Sequence, residues 1–422
     1  MIQNKSKSLK NVEDLLQSFL SDITSIEIHF KRDSNNIESA DILVLDQRIV
    51  KCISLQTSKF ELQKINTNDI KVTNLISEIV KCVYIQSQLE GNQIGDLGAI
   101  NLQIELAQFT SLQNLKLNLN QNIMNEVGVT NLTSEIFKCT QLQNLDIQLE
   151  KSQIGVLGAL NLGIGLAKCT NLKILKLNLN RNSIQFYGAL VLIKYLFQHS
   201  QLSSLQLDLQ ANQLYQKLNQ ITSCEIPDST NYSNLSSLIF DLRCNFSSKK
   251  EVFELLSELP KSFTNLKSLK LLLGYCSIYE ELALELGIIL NQLLPNLITL
   301  DISFYFQTCY ANAFYFNRFG DKGLFNLCNS LDKSCNIQTL VLDLRQTYIK
   351  EEGINSLILF LRKCKKLSTV TLDLYTPDDD IYWLDYIANN CLKFPRLVEL
   401  QINHQNMWAL HLDKIRHWYY QN

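Results

Sequence analysis

The groups in this 422-residue chain that could hold a metal ion or carry a proton are five histidines, twelve cysteines and 41 acidic side chains, and their spacing favours neither role. His404, His411 and His417 have no Cys or acidic partner at the separations a zinc site uses. The cysteines are scattered, with no C-x-x-C pair, which suits buried thiols acting as small hydrophobes. Asp378, Asp379 and Asp380 precede a helix expected over Ile381 to Cys391, where acidic residues complement the helix N-terminus without any ion. Phosphate-loop, kinase and G-x-S-x-G signatures are absent. The expectation is a non-enzyme that needs no cofactor and no metal.

Charge narrows the partners. Lys plus Arg number 39 against 41 Asp plus Glu, which leaves no basic footprint for nucleic acid or an anionic membrane. The start, from Met1 to Ser8, lacks the apolar core of a signal peptide. The longest apolar stretches, such as Leu282 to Leu294, are broken by polar residues well short of a membrane span. A soluble, intracellular chain is expected, cytoplasmic before nuclear.

Any site must be positioned by a repeat. Leu112, Leu142, Leu172 and Leu202 are 30 residues apart, as are Leu115, Leu145, Leu175 and Leu205. Asn122, Ser152, Asn182 and Asn212 keep that step, and so do Gly98, Gly128, Gly158 and Gly188. Phe109, Cys139, Cys169 and His199 close the units. Fixed periods of this size are the mark of stacked units. Alternation in Leu115 to Leu119 predicts a short strand with one buried face, and 159, 162, 166 and 169 trace the buried stripe of a helix. The Asn column is expected to satisfy turn backbone, and the Gly column to let the helix approach the sheet.

The unit continues with drift at Leu235-Leu238-Phe240, Leu266-Leu269-Leu271, Leu297-Leu300-Ile302, Ile337-Leu340-Leu342, Leu367-Val370-Leu372 and Leu397-Leu400-Ile402. Upstream, Val72 to Cys82 nearly copies Val129 to Cys139, and Ile26 to Phe30 with Ile42 to Cys52 reads as a divergent first unit. The expected organisation is a capping helix within 1–25 (Leu9 to Leu20), a solenoid over 26–405 of about thirteen repeats, and a cap over 406–422 (Trp408 to Tyr420).

The pattern L-x-x-L-x-L-x-L-x-x-N-x-I-G-x-x-G-A-x-x-L, carried by Leu142 to Leu162 with Ser152 at the Asn position, resembles ribonuclease-inhibitor-like leucine-rich repeats. The resemblance implies an α/β horseshoe, with parallel strands on the concave face and helices on the convex face. It also implies a protein partner on the concave side. One branch of the family activates small GTPases. That likeness would give Asn180, Arg181 and Asn182 a role, although Arg181 is unmatched in neighbouring units and no acidic tail follows.

Outward strand positions turn acidic past Asp208, and Asp241, Asp301, Asp343 and Asp373 join Arg243, Arg345, Tyr305 and Tyr375 as candidate partner-binding residues. Aromatic and arginine side chains are the common anchors of interfaces. The unit after Leu300 is 40 residues long, and its excess around 304–319 is aromatic, including Tyr310, Phe314 and Phe316. Insertions in repeat arrays map to loops on one face, and this one either packs as a lid on its own repeat or meets a partner. Ser223 to Asn234 reads as a surface loop. The function expected is a non-catalytic scaffold or subunit held in a stable complex with another protein. The alternative is a regulator of a small GTPase.

Overall fold

The computed structural model describes residues 6–9, 25–31, 57–63, 84–88, 90–91 and most of 112–411. Residues 216–233, 246–250, 260–264, 307–316, 332–335, 375–381 and a few shorter positions in that last span lie outside the described residues. Two compact units divide the chain, one of residues 1–207 with 218–228, the other of 208–217 with 229–422.

In the first unit, β1 (Ser6–Leu9), β2 (Ser25–Lys31), β3 (Thr57–Gln63), β4 (Tyr84–Gln88), β5 (Asn114–Asn118), β6 (Asn144–Gln148) and β7 (Ile174–Asn178) pair parallel in chain order. Helices α1 (Glu126–Ile136), α2 (Gly155–Leu166) and α3 (Gln185–Phe197) follow β5, β6 and β7. β8 (Ser204–Asp208) runs to the unit boundary. In the second unit β9 (Ser237–Asp241), β10 (Ser268–Leu272), β11 (Thr299–Ser303), β12 (Thr339–Asp343), β13 (Thr369–Leu374) and β14 (Glu399–His404) are again parallel neighbours. α4 (Glu251–Leu256), α5 (Glu280–Leu293), α6 (Gly320–Ser330), α7 (Glu351–Lys363) and α8 (Tyr382–Cys391) alternate with them. β15 (Met407–His411) lies antiparallel on β14 and covers its edge. The expected α/β alternation of parallel strands and helices is present in both units.

Register follows the columns. Leu115 pairs with Leu145 and Leu145 with Leu175, so identical positions stack. One strand face is buried, as at Leu175 and Leu177, which are fully enclosed. Each such side chain contributes about 1.5–3 kcal/mol through removal from water.

The corner between strand and helix is buried too, so its polar backbone needs partners. Asn182 supplies them. Its Oδ1 accepts from the amides of Ser152 (2.7 Å) and Ile154 (3.4 Å) of the preceding repeat, and its Nδ2 donates to the Leu149 carbonyl at 2.7 Å. Asn245 repeats the device on Asn212 N and Leu209 O. The chain turns through left-handed residues that are mostly not glycine, including Gln121, Lys151, Ala211 and Cys244. Left-handed backbone costs an L-residue about 1–2 kcal/mol. Their amides recover much of it by donating to the next repeat, Lys151 N to Asn180 O (3.0 Å) and Ala211 N to Arg243 O (2.9 Å).

Several expectations need correction. The glycine column does not bring helix to sheet: a Cβ on Gly188 would lie 3.2 Å from the Val156 backbone, at the start of the preceding helix. The glycines therefore set the approach of neighbouring helix N-termini. Ser6–Leu9 is a strand that the sequence did not indicate, and residues 10–20 of the helix expected from Leu9 to Leu20 lie outside the described residues. β3 and β4 were not recognised, although Phe60-Glu-Leu62 alternates as a strand should. Ile42 to Cys52 and Val72 to Cys82 lie outside the described residues.

Cys169, Cys328 and Cys391 are buried thiols, each pushed up to about 12 chiefly by loss of solvation. His199 fills the Cys column of its repeat, and its Nε2 donates to the Cys169 carbonyl at 2.6 Å. Its buried Nδ1 accepts no hydrogen bond from the protein, and burial first of all lowers its pKa below the ordinary 6.5.

Two predictions follow from the corner and the column. Asn182→Ala should destabilise the chain by about 3 kcal/mol in chemical denaturation, because several buried groups lose partners at once. The exposed Asn171→Ala should cost under about 1 kcal/mol. His199 stays neutral when folded and takes a proton more readily when unfolded. Its contribution is therefore complete above pH 6.5 and falls away as pH drops through that value towards the lower folded pKa. His199→Cys should gain on the wild type in melting temperature between neutral and mildly acidic pH. Parallel losses in the two proteins would contradict the assignment.

Candidate functional site

On the strands most residues between the buried leucines are half-buried, and several make polar contacts with the neighbouring strand. In the first unit Lys116 lies 3.5 Å from Asp146, and Asn144 Nδ2 donates to Asn114 Oδ1 at 2.5 Å. In the second, Lys270 Nζ donates to Asp301 Oδ2 at 2.6 Å, and Asp373 accepts from Asn403. Within the acidic face expected past Asp208, Asp301 is thus neutralised by Lys270, while Asp373 keeps its charge beside a neutral amide.

The C-terminal ends of β9 to β12 carry a more built arrangement. Asp241 is almost wholly buried, accepts the Arg243 amide at 3.0 Å and holds the guanidinium through Nε (2.9 Å) and Nη2 (2.5 Å). The same Asp-Leu-Arg turn recurs at Asp343, which takes Arg345 Nε at 2.8 Å and Nη2 at 2.7 Å. Ser303 Oγ donates to Asp343 at 3.0 Å. A buried carboxylate is tolerated only with such complete pairing. Arg345 sits above its ordinary pKa, first through its hydrogen bond to Asp343, against the opposing effect of burial. For Arg243 burial opposes the charge most, and the hydrogen bond and charge of Asp241 outweigh it.

Two adjacent aromatics connect these pairs. Arg243 lies 4.5 Å from the Phe306 ring centre and Arg345 4.1 Å from that of Tyr305, so each guanidinium stacks on a ring while a carboxylate fixes its edge. Phe306 meets Tyr275 edge-on with centres 6.2 Å apart. Gly274 makes room: a Cβ there would lie 2.6 Å from Phe306 Cβ and 2.7 Å from the Tyr305 carbonyl. Beyond Phe306 the insertion returns at Asn317, whose side chain bonds Leu273 O (2.7 Å), Phe304 O (2.8 Å) and the Ile278 amide (2.9 Å). Asn317 is therefore the corner asparagine of its repeat, and the ten additional residues, 307–316, lie between strand end and corner.

Of the sequence candidates, Asp241, Arg243, Tyr305, Asp343 and Arg345 belong to this arrangement. Asp301 stands apart from it, on the strand face against Lys270, and Asp373 is tied to Asn403. Tyr310, Phe314, Phe316 and Tyr375 lie outside the described residues. Sequence reasoning missed Gly274 and Tyr275, which break no column, and Asn317, which was absorbed into the insertion. It also missed Arg318 over Tyr348, 5.2 Å from ring centre to guanidinium. In the first unit Arg181 is an exposed left-handed corner residue, while Asn182 is bonded inward as described above.

Among the described residues no three His, Cys, Asp or Glu side chains come together as a metal site, and no helix is long and apolar enough to cross a membrane. The arrangement offers rigid guanidinium planes and half-exposed rings, chemistry suited to recognition. Gly274→Ala should displace Tyr305 and Phe306 and cost about 1–3 kcal/mol by overpacking. The near-ultraviolet circular dichroism should change with it, whereas an unchanged spectrum and stability would contradict the close approach. No protein-family model matches the chain, and no curated protein matches it in sequence.

Proposed function

We propose that the chain is a non-catalytic recognition or scaffold subunit that holds another protein in a stable complex. In this reading it is a ribonuclease-inhibitor-like leucine-rich-repeat solenoid of about thirteen repeats. It curves as a horseshoe, with its strands on the concave side. The binding surface is the strand ends of the second unit together with the aromatic insertion over 304–319.

The observation that carries the reading is the pairing of Arg243 and Arg345 with both a carboxylate and an aromatic ring. A guanidinium fixed before the partner arrives loses little further freedom on binding, which is how pre-organised interfaces gain affinity. Rings beside it supply apolar area at small entropic cost. The two pairs sit at the ends of β9 and β12, three strands apart, which is roughly 14 Å at ordinary strand spacing. A patch of that width can seed the roughly 1,200–2,000 Å² of a stable interface.

Native co-purification of the tagged chain tests the proposal. A stoichiometric companion should appear and should be lost when Tyr310, Phe314 and Phe316 are all changed to Ser, or when Arg243 and Arg345 are both changed to Ala. Circular dichroism should remain that of the folded chain. No stoichiometric companion, or one that both variants retain, would overturn the proposal.

A further inference from the structure

At the opposite end of the strands in the second unit, a cavity of about 460 Å³ opens before β13 and β14. Leu367 and Phe394 contribute apolar walls, Arg362, Lys365, Lys366 and Arg396 line it, and no carboxylate lines it among the described residues. All four cations are exposed.

Internal comparison shows that the fold does not require these charges. The position three residues before each strand is Gln or Asn in seven successive units, from Gln141 through Asn171 and Gln201 to Asn336. It then becomes Lys366 and Arg396 in the last two. Lys365 likewise stands where other units carry Thr140, Thr170 and Ser200. Arg362 follows Phe137, Ala167 and Phe197 in its column. Backbone geometry is shared while charge is not, so the charge answers to something outside the repeat.

Two of the cations are also held in place. Arg362 Nη2 donates to Asn390 Oδ1 at 2.6 Å, and the buried Asn390 is itself fixed by donating to the Tyr386 carbonyl at 2.9 Å. Lys366 Nζ donates to Asn336 Oδ1 at 2.6 Å, and Asn336 donates to the Pro295 carbonyl at 2.5 Å. Neutral amides orient these side chains without cancelling their charge. An anion can therefore meet a set of donors already placed.

We infer that this cavity docks an acidic peptide segment, with one bulky apolar side chain seated between Leu367 and Phe394 and flanking carboxylates on the four cations. The occupant is a peptide because apolar Leu361, Leu367 and Phe394 share the lining with the four cations, which matches an acidic segment carrying one apolar side chain. Single-stranded nucleic acid needs flat aromatic platforms for successive bases, and among the described lining residues Phe394 alone is aromatic. The site lies at the other strand ends from the arginine–aromatic surface and does not depend on the function proposed for it.

The test is fluorescence polarisation of the full chain with a labelled short Asp/Glu peptide carrying a central Phe. Unlabelled polyglutamate and single-stranded DNA serve as competitors. Binding should saturate, weaken with salt, and fall at least about tenfold in the exposed double variant Lys365→Glu with Arg396→Glu. Lys176→Glu, a reversal of similar exposure elsewhere, should leave it unchanged. Phe394→Ser should weaken the Phe peptide selectively, leaving polyglutamate a poor ligand of every variant. The inference is overturned if no saturable binding occurs, or if the double variant binds as well as the wild type. It is equally overturned if polyglutamate or DNA competes as strongly as the peptide itself.

Discussion

In the described repeats the chain turns from strand to helix through a buried corner, where backbone amides and carbonyls find no regular ladder. Where the corner residue is asparagine, a single side-chain amide resolves this, accepting from the previous repeat and donating to carbonyls on either side, as Asn182, Asn245 and Asn317 do. Because that bonding runs between repeats, a corner is complete only when its neighbour is in place. Cohesion is therefore a nearest-neighbour property, as expected of stacked units. The corner also fixes where the chain can vary: between the strand's last residue and the asparagine, extra chain can leave and return without disturbing either.

The proposed recognition surface occupies that permitted place. Asp241 and Asp343 close the turn after their strands by accepting the amide two residues on, the role Asn118 and Asn178 play in the first unit. Replacing Asn by Asp keeps the turn and adds a charge, and the charge fixes an arginine. The additional residues 307–316 leave from Phe306, beside Arg243, and return at Asn317. A structural device and the proposed binding surface thus share the same few side chains, and neither needs a change in the repeat itself.

The strands β5 to β14 were legible in sequence both where the step of 30 held and where it drifted, because a stacked parallel sheet keeps one buried apolar column in register. The corner column was followed only as far as Asn212, since the step then becomes 33 to Asn245, and Cys276 and Thr347 replace the amide at later corners. An offset of four from the last strand residue would have found Asn245, Cys276 and Thr347. The glycines were visible but misread: their small size serves adjacent helices, which periodicity within one helix cannot reveal. At the candidate site the residue types were readable and their pairing was not. Nothing in spacing says that Lys270 neutralises Asp301, or that Phe306 stacks on Arg243.

The central claim is that partners are met at the strand ends of the second unit, and amide hydrogen exchange on the chain alone and in its purified complex tests it most directly. The account predicts slowed exchange in peptides covering 241–244, 303–306 and 343–346, with the outward faces of α5 to α7 unchanged. Protection confined to those helices, with the strand ends exchanging as in the isolated chain, would contradict it.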